Sequence, residues 1–501
     1  PLVRLYKSYL NLGIGNYFTP FGELSIATER SKTGMLAFYA RHFSSNGTLK
    51  LENLEKVYAG YMDNEAVMYG KKFFRNSILS GSVGFSHLMR HAYGYDTLIA
   101  WSPEKEDIRL AFMNAGADAS FSSLRSDSGL LVYDFSAGYN MFRQSADLWQ
   151  HTVSFDADAG KSIRALGPSK AARRAGVSDF YGRLRAAYDL SLFNAAITDR
   201  PRHIITINPS LSKRSNEWSF RLGAAAVTES RYFTGTMGDE YGTRFHVYPD
   251  IDFSLSVIPS FLVFNLGLEG GLEDNSAPEM VQINPFLVTD GSLFTLPYTD
   301  KQIVASAGFS GGSIPSTSYR ITGSYSVFRE MPFLSNNIWS DLVVNEGVGN
   351  HFIPVVSDGN LANVNGEVTT VITRTISATA RADYYHYSLT GIDHPYNKPS
   401  WEGSVKVKYN LRDKILAGAT LNAIGQRKAL VTMLPLAGPP VTTRTIDLPA
   451  HVSLNLTGEY RYTKILSFWV KMNNISFNRY YEWAFYPSQR FLFMAGFSYS
   501  L

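Results

Sequence analysis

No cysteine occurs among the 501 residues. That excludes a disulfide framework, a thiolate nucleophile and any cysteine-bound metal. Nor is there a run approaching the ~18–20 apolar residues of a membrane-spanning helix; the most apolar stretch, VIPSFLVFNLGL at 257–268, is interrupted by Pro259. The net charge is only +4, too small for this length to argue for a nucleic-acid partner. HExxH, a GxxxxGK[ST] phosphate loop and a nucleophile elbow are all missing, so nothing calls for a cofactor or marks an enzyme. No signal peptide heads the chain, but the numbering starts at Pro1 rather than Met, and a leader removed ahead of it leaves export open.

What the sequence does have is aromatics, at 14%, within a 45% hydrophobic composition. Composition alone reads as a soluble globular protein; the pattern does not. In the terminal RFLFMAGFSYSL, Phe491, Phe493, Ala495, Phe497, Tyr499 and Leu501 share one parity, and the other carries Arg490, Leu492, Met494, Gly496, Ser498 and Ser500. A strand sends successive side chains to opposite faces, so one face here is largely aromatic. The same alternation recurs in EGSVKVKYNL (402–411), HVSLNLTGEYRY (451–462), RFHVYPDIDFSLSV (244–257) and RTISATARADYY (374–385). These runs reach the ~9–11 residues of a strand tilted across a bilayer, beyond the ~5–6 usual in soluble sheets. Short connections (VIPSF, NLRDKI, YRYTKIL, ITRTI) alternate with long polar ones at 274–300, 330–362 and 431–445, consistently back to about residue 215. The basic stretch 166–179 fits less easily, since parity makes it a short-side turn. LENLEKVYAGYM (51–62) has near-helical spacing and is expected as a short helix within a loop.

Hydrocarbon requires every backbone N–H and C=O to be paired within the protein, which only helices and closed barrels achieve. The expectation is therefore all-β: a transmembrane antiparallel β-barrel of roughly 16–22 strands, with short periplasmic turns and long extracellular loops. The last strand closes on the first, and Tyr409, Tyr460, Tyr462, Tyr384, Tyr385 and Tyr387 suit an interfacial girdle. Its localisation is the bacterial outer membrane, with lipid and lipopolysaccharide around it. The competing reading is a large soluble β-protein with aromatic cores. No fixed-period repeat argues for a propeller or solenoid, and no composition shift divides the chain, so residues 1–501 read as one barrel domain.

The polar parity supplies the candidate lumen lining: Arg183, Arg185, Arg244, His246, Asp250, Asp252, Arg381, Asp383, Lys406, Lys408, Glu459 and Arg461. Mixed charge of this kind tunes a water-filled pore or pairs across a packed lumen. His386 points away from Asp383, which argues against a dyad. His246 shares a face with Asp250 and Asp252, better read as a polar network than as an acid–base site. The oxygen-rich GLEDNSAPE (271–279), VSDGN (356–360) and MDNE (62–65) lack EF-hand spacing and read as turns.

YLNLGIGNYFTPFGE (9–23), RSKTGMLAFYARHFSSNG (30–47), MRHAYGYD (89–96), VIPSFLVFNLGLEGGLEDNS (257–276) and TSYRITGSYS (317–326) resemble a group of Bacteroidota outer-membrane barrels described as TonB-dependent-receptor-like. The resemblance implies an outer-membrane barrel. The plug domain and energy-coupling box of a true TonB-dependent transporter have no counterpart, because strand-like pattern begins within the first few residues, so energised import is not implied. Two functions follow: passage of solutes across the outer membrane, or a structural barrel subunit of a larger complex serving protein insertion, secretion or nutrient capture, with other outer-membrane proteins or surface lipoproteins as partners. Phe253→Arg, a charge on the lipid parity, is expected to cost ~2–4 kcal/mol of stability on folding into lipid or detergent. Asp252→Asn costs far less; equal and negligible effects would contradict the barrel.

Overall fold

The computed structural model describes residues 8–28, 31–95, 103–124, 130–163, 178–235, 238–288, 291–314, 316–339, 350–434 and 442–500. Among them, twenty-two strands from Ser8–Gly15 to Leu492–Ser500 run up and down, each antiparallel to its neighbour. The last pairs with the first, from Tyr9 opposite Ser500 to Gly15 opposite Met494, and the sheet closes into a barrel. Twenty-two is the upper end of the expected range. The start of the first strand at Ser8 and the end of the last at Ser500 lie on the rim that carries the tight turns at 74–76, 215–217, 259–261, 372–375, 412–414 and 462–465. The other rim carries the long connections, including 46–60, 92–108, 274–298, 425–450 and 474–491. By the sidedness of outer-membrane barrels the first rim is periplasmic and the second extracellular.

The dyad pattern sorts the two faces. Leu12, Ile14, Ile26, Leu36, Phe38, Val83, Phe85, Leu184, Ile205, Phe245, Val247, Val364 and Val405 are large, apolar and exposed, forming an outward belt that no other part of the protein covers. Aromatics rim it. Toward the periplasm Phe121, Tyr133 and Phe135 stack in series, and Trp218 stacks on Phe220. Toward the exterior Tyr139 and Tyr188 make hydrogen bonds to the Nδ1 atoms of His151 (2.6 Å) and His203 (2.9 Å). Tyr384, Tyr460 and Tyr462 are exposed on the outward face, as expected. Tyr385 and Tyr387 are not: Tyr385 donates inward to Glu402 (3.0 Å), and Tyr387 packs edge-on to Phe333. Their parity, shared with Asp383, places them in the lumen.

The closure is built around Trp469. Its indole lies across Gly496 and Gly13, the residues facing it on the last and first strands, where a Cβ on either glycine would collide with the ring. Its Nε1 donates to Asn11 Oδ1 at 2.6 Å, joining residues 458 positions apart. Phe21 stands edge-on to the same ring.

Several expected loops are different. Residues 51–62 form no helix. Thr48–Lys50 and Lys56–Tyr58 make a small hairpin, and the strand Tyr61–Phe73 follows. Asn53 Oδ1 accepts the Glu55 N–H (3.1 Å), and such a local side-chain bond competes with helix. Most of 330–362 is strand, in Thr317–Trp339 and Asn350–Val371. Pro332 and Pro354 both sit within this register. Within 431–445 lie parts of a hairpin, Arg427–Leu434 with Thr442–Leu448, whose first strand pairs in parallel with the overhanging end of Thr317–Trp339; residues 435–441, with all of PLAGPP, lie outside the described residues. MDNE and VSDGN are strand segments, not turns. The stretch 166–179 also lies almost wholly outside the described residues.

Trp469→Ala removes a buried aromatic from the closure and is expected to cost about 3–5 kcal/mol, and Gly496→Val is expected to destabilise as well by displacing the ring. Loss of the compact, heat-modifiable band on unheated SDS gels at lower temperature checks both.

Candidate functional site

The outer mouth is closed by the protein's own loops. The connection 274–298 turns inward, carrying the short helix Ala277–Ile283 and the 3₁₀ turn Gly291–Thr295. Pro278 in the first helical turn has no N–H to leave unsatisfied. Met280, Val281, Leu287, Leu293 and Phe294 are buried with Leu51, Ile108, Phe112, Phe142, Phe352 and Tyr486 from other loops and upper strands. Phe352 exchanges backbone hydrogen bonds with Phe286 and Val288 (2.9 and 3.0 Å). Arg202, buried on the wall, holds the loop with Nη2 on the Phe294 carbonyl (2.6 Å) and its guanidinium 4.9 Å from the Tyr298 ring centre.

A cavity of about 1040 Å³ opens beside this cap, lined by Asp63, Arg90, Ile283, Phe286, Asn422, His451, Tyr480, Glu482 and Trp483 among others. His451 stacks flat on Tyr480 at 4.1 Å. Arg427 donates to the carbonyls of Tyr481 and Glu482. The Glu482 carboxyl is open to the cavity but ringed by protein. That enclosure pushes it above the usual carboxylate range, against the pull of Arg427 and Arg90.

The predicted lumen residues lie on the face opposite the apolar belt and fall into three groups. On one wall Arg183 pairs with Asp158 and Arg185 with Asp156 (2.6 Å). Arg221 Nε and Asn208 Nδ2 both reach Asp250, at 3.0 and 3.2 Å. Asp252 stands opposite Arg221 in the register. Higher on the same wall, Arg231 bridges Glu229 and Glu330, each at 2.5 Å. His246 lies 3.7 Å from Glu229 and 3.9 Å from Asp300 and stacks on Tyr248, whose hydroxyl donates to Asp300 (2.8 Å). Arg244 joins no carboxylate there; its guanidinium lies 3.9 Å from the Phe233 ring centre.

The third group is on the opposite wall. Arg381 Nε donates to Asp383 (2.8 Å), which also accepts from Asn365, and Arg461 pairs with Glu459 (3.1 Å). Lys406, Lys408, Glu459 and Arg461 line a cavity of about 1450 Å³ near the periplasmic rim. His386 is exposed on the outward face. Sequence reading missed Asp156 and Asp158, although SFDADAG (154–160) carries the same alternation. It also missed Glu229 and Arg231, two residues apart on one parity of TESRYF (228–233), and Arg202, whose partner Phe294 is distant in sequence.

Because the Glu482 carboxyl is raised in the folded state, its contribution to cap stability is present at low pH and lost as pH rises through that raised value. Hydrogen-exchange protection of 474–491, corrected for intrinsic rate, is expected to fall from pH 5 to pH 8 and to stay flatter in Glu482→Gln.

No protein-family model matches the sequence, and no curated protein matches it. Solved structures do match. The siderophore receptor PirA from Acinetobacter baumannii superposes with a TM-score of 0.69 at 9% identity, over 99% of this chain and 80% of that one. The pyoverdine outer membrane receptor FpvA from Pseudomonas aeruginosa PAO1, bound to pyoverdine, gives 0.69 at 9% identity over 100% and 79%. The copper transporter OprC gives 0.66 at 12% identity over 99% and 80%. These neighbours are receptors and a transporter, not enzymes. Identities this low speak for fold alone: the chain is an outer-membrane β-barrel with the strand architecture of these transport receptors.

Proposed function

We propose that this chain forms a transport barrel, in which a solute enters beside the loop cap and passes along the charged inner wall when the cap yields. The observation that carries this reading is the juxtaposition of a loop-capped outer mouth with roomy space beside and below it: about 1040 Å³ at the cap and about 1450 Å³ near the periplasmic rim. A barrel whose only task is to sit in the membrane has no need of such space. The twelve lumen residues then set the field along the path, and the cap, built from the barrel's own loops, is the barrier at the outer end. The receptors and the transporter among the structural neighbours agree with this class of function.

A second reading has its own support. Thr317–Trp339 and Asn350–Val371 are 23 and 22 residues long, about twice the ~9–11 needed to cross a bilayer. Their extracellular overhang holds the hairpin 427–448, whose strand Thr442–Leu448 pairs on one edge only among the described residues. An open sheet edge of this kind accepts an added strand, as a barrel subunit of a surface complex requires.

Loosening the cap separates the two. Arg202→Ala with Phe294→Ser is expected to raise single-channel conductance in planar bilayers well above that of the parent. Silence from both proteins, with folding intact, would sink the transport reading and shift weight to co-purifying partners.

A further inference from the structure

The charge on the inner wall is not evenly balanced. On the strands between Trp149 and Ile258, Arg183, Arg185 and Arg221 each have a carboxylate partner. Across the lumen, the cavity near the periplasmic rim is lined by seven basic side chains and two acidic ones. Both acids are engaged: Asp413 accepts from Asn410 (2.7 Å) and Glu459 from Arg461 (3.1 Å). Lys406 and Lys408 stand two residues apart on the inward face of Trp401–Leu411, both exposed to the cavity. Neither makes a hydrogen bond or ion pair with any described residue. In the register Lys406 lies opposite Thr420 and Lys408 opposite Gly418, and a Cβ at Gly418 would press on Thr457 Oγ1 at 2.6 Å. The wall beside the two ammonium groups is therefore bare, with hydroxyls at its margin.

From this imbalance we propose that the periplasmic half of the lumen is a binding station for an anionic solute bearing several phosphate or carboxylate groups, with Lys406 and Lys408 as its principal cationic contacts. This rests on the transport reading and names its substrate class. Cations gathered in a cavity without counter-charges repel one another; a multivalent anion relieves that repulsion and meets threonine hydroxyls as further donors. Paired arginines on the facing wall give it little purchase, so the attraction is one-sided. Lysine suits a station that must release its cargo, being a hydrated point charge rather than a bidentate clamp.

The test is calorimetric titration of the purified full chain in detergent with tripolyphosphate and with citrate, at fixed ionic strength. Saturable binding of at least one anion is expected. It should weaken at least tenfold in Lys406→Glu/Lys408→Glu, and more modestly in Lys406→Gln/Lys408→Gln, which guards against a folding defect in the first variant. Lys50→Glu/Lys105→Glu, the same change of net charge at extracellular loops, should bind as the parent does. No saturable binding by the parent, or equal weakening in the loop variant, would overturn the proposal. Binding that persists while the cap-loosened barrel fails to conduct would refute the path and keep the station. Conductance without binding would do the reverse.

Discussion

Hydrocarbon supplies no hydrogen-bond partners, so a sheet inside it cannot have an edge. Everything else in this chain is arranged around that demand. Twenty-two strands satisfy it only because Ser8–Gly15 meets Leu492–Ser500. The join leaves glycines on both strands facing the lumen, and Trp469 fills what they leave open. Closure also fixes two environments of opposite polarity a few ångströms apart. The alternation of side chains is the only device a strand has for serving both.

Inside the ring, two different physical solutions operate at the two ends. The outer end is closed by apolar burial: loops from distant parts of the chain collapse on Leu287, Phe294 and Phe352 as a small soluble domain would. The inner end is left wet and charged. Salt bridges exposed to water contribute little stability, so the ladder of Arg183, Arg185 and Arg221 is better understood as shaping the field in the lumen than as holding the wall together. The strength of the wall comes from the backbone ladder.

The barrel was legible because its signal is local and repeated. Val405 against Lys406, or Phe245 against Arg244, reports its face from its neighbours alone. The alternation of short and long connections gave the sidedness. What stayed hidden depends on distance. Nothing near Arg202 announces Phe294, and nothing near Trp469 announces Asn11. The cap was mistaken for polar loops because its buried residues come in pairs and short runs, such as Met280 with Val281 and Leu293 with Phe294, set among Asn, Asp and Ser. The overhanging strands were read as a long polar connection because their upper parts lie beyond the length a bilayer crossing needs; Tyr385 and Tyr387 were misplaced by residue type when parity already put them inside.

The seam also bears on how such a molecule comes into being. The partner of the first strand is the last strand of the sheet to be synthesised, so during biogenesis Ser8–Gly15 carries an open ladder until almost the whole sheet exists. Membrane insertion strand by strand would strand that edge in lipid, at several kcal/mol for each unmet backbone group. The sheet must therefore be shielded or held unfolded until its ends can meet. Trp469, settling over Gly13 and Gly496, would then be among the final native contacts, a zip pulled shut after the cloth is woven.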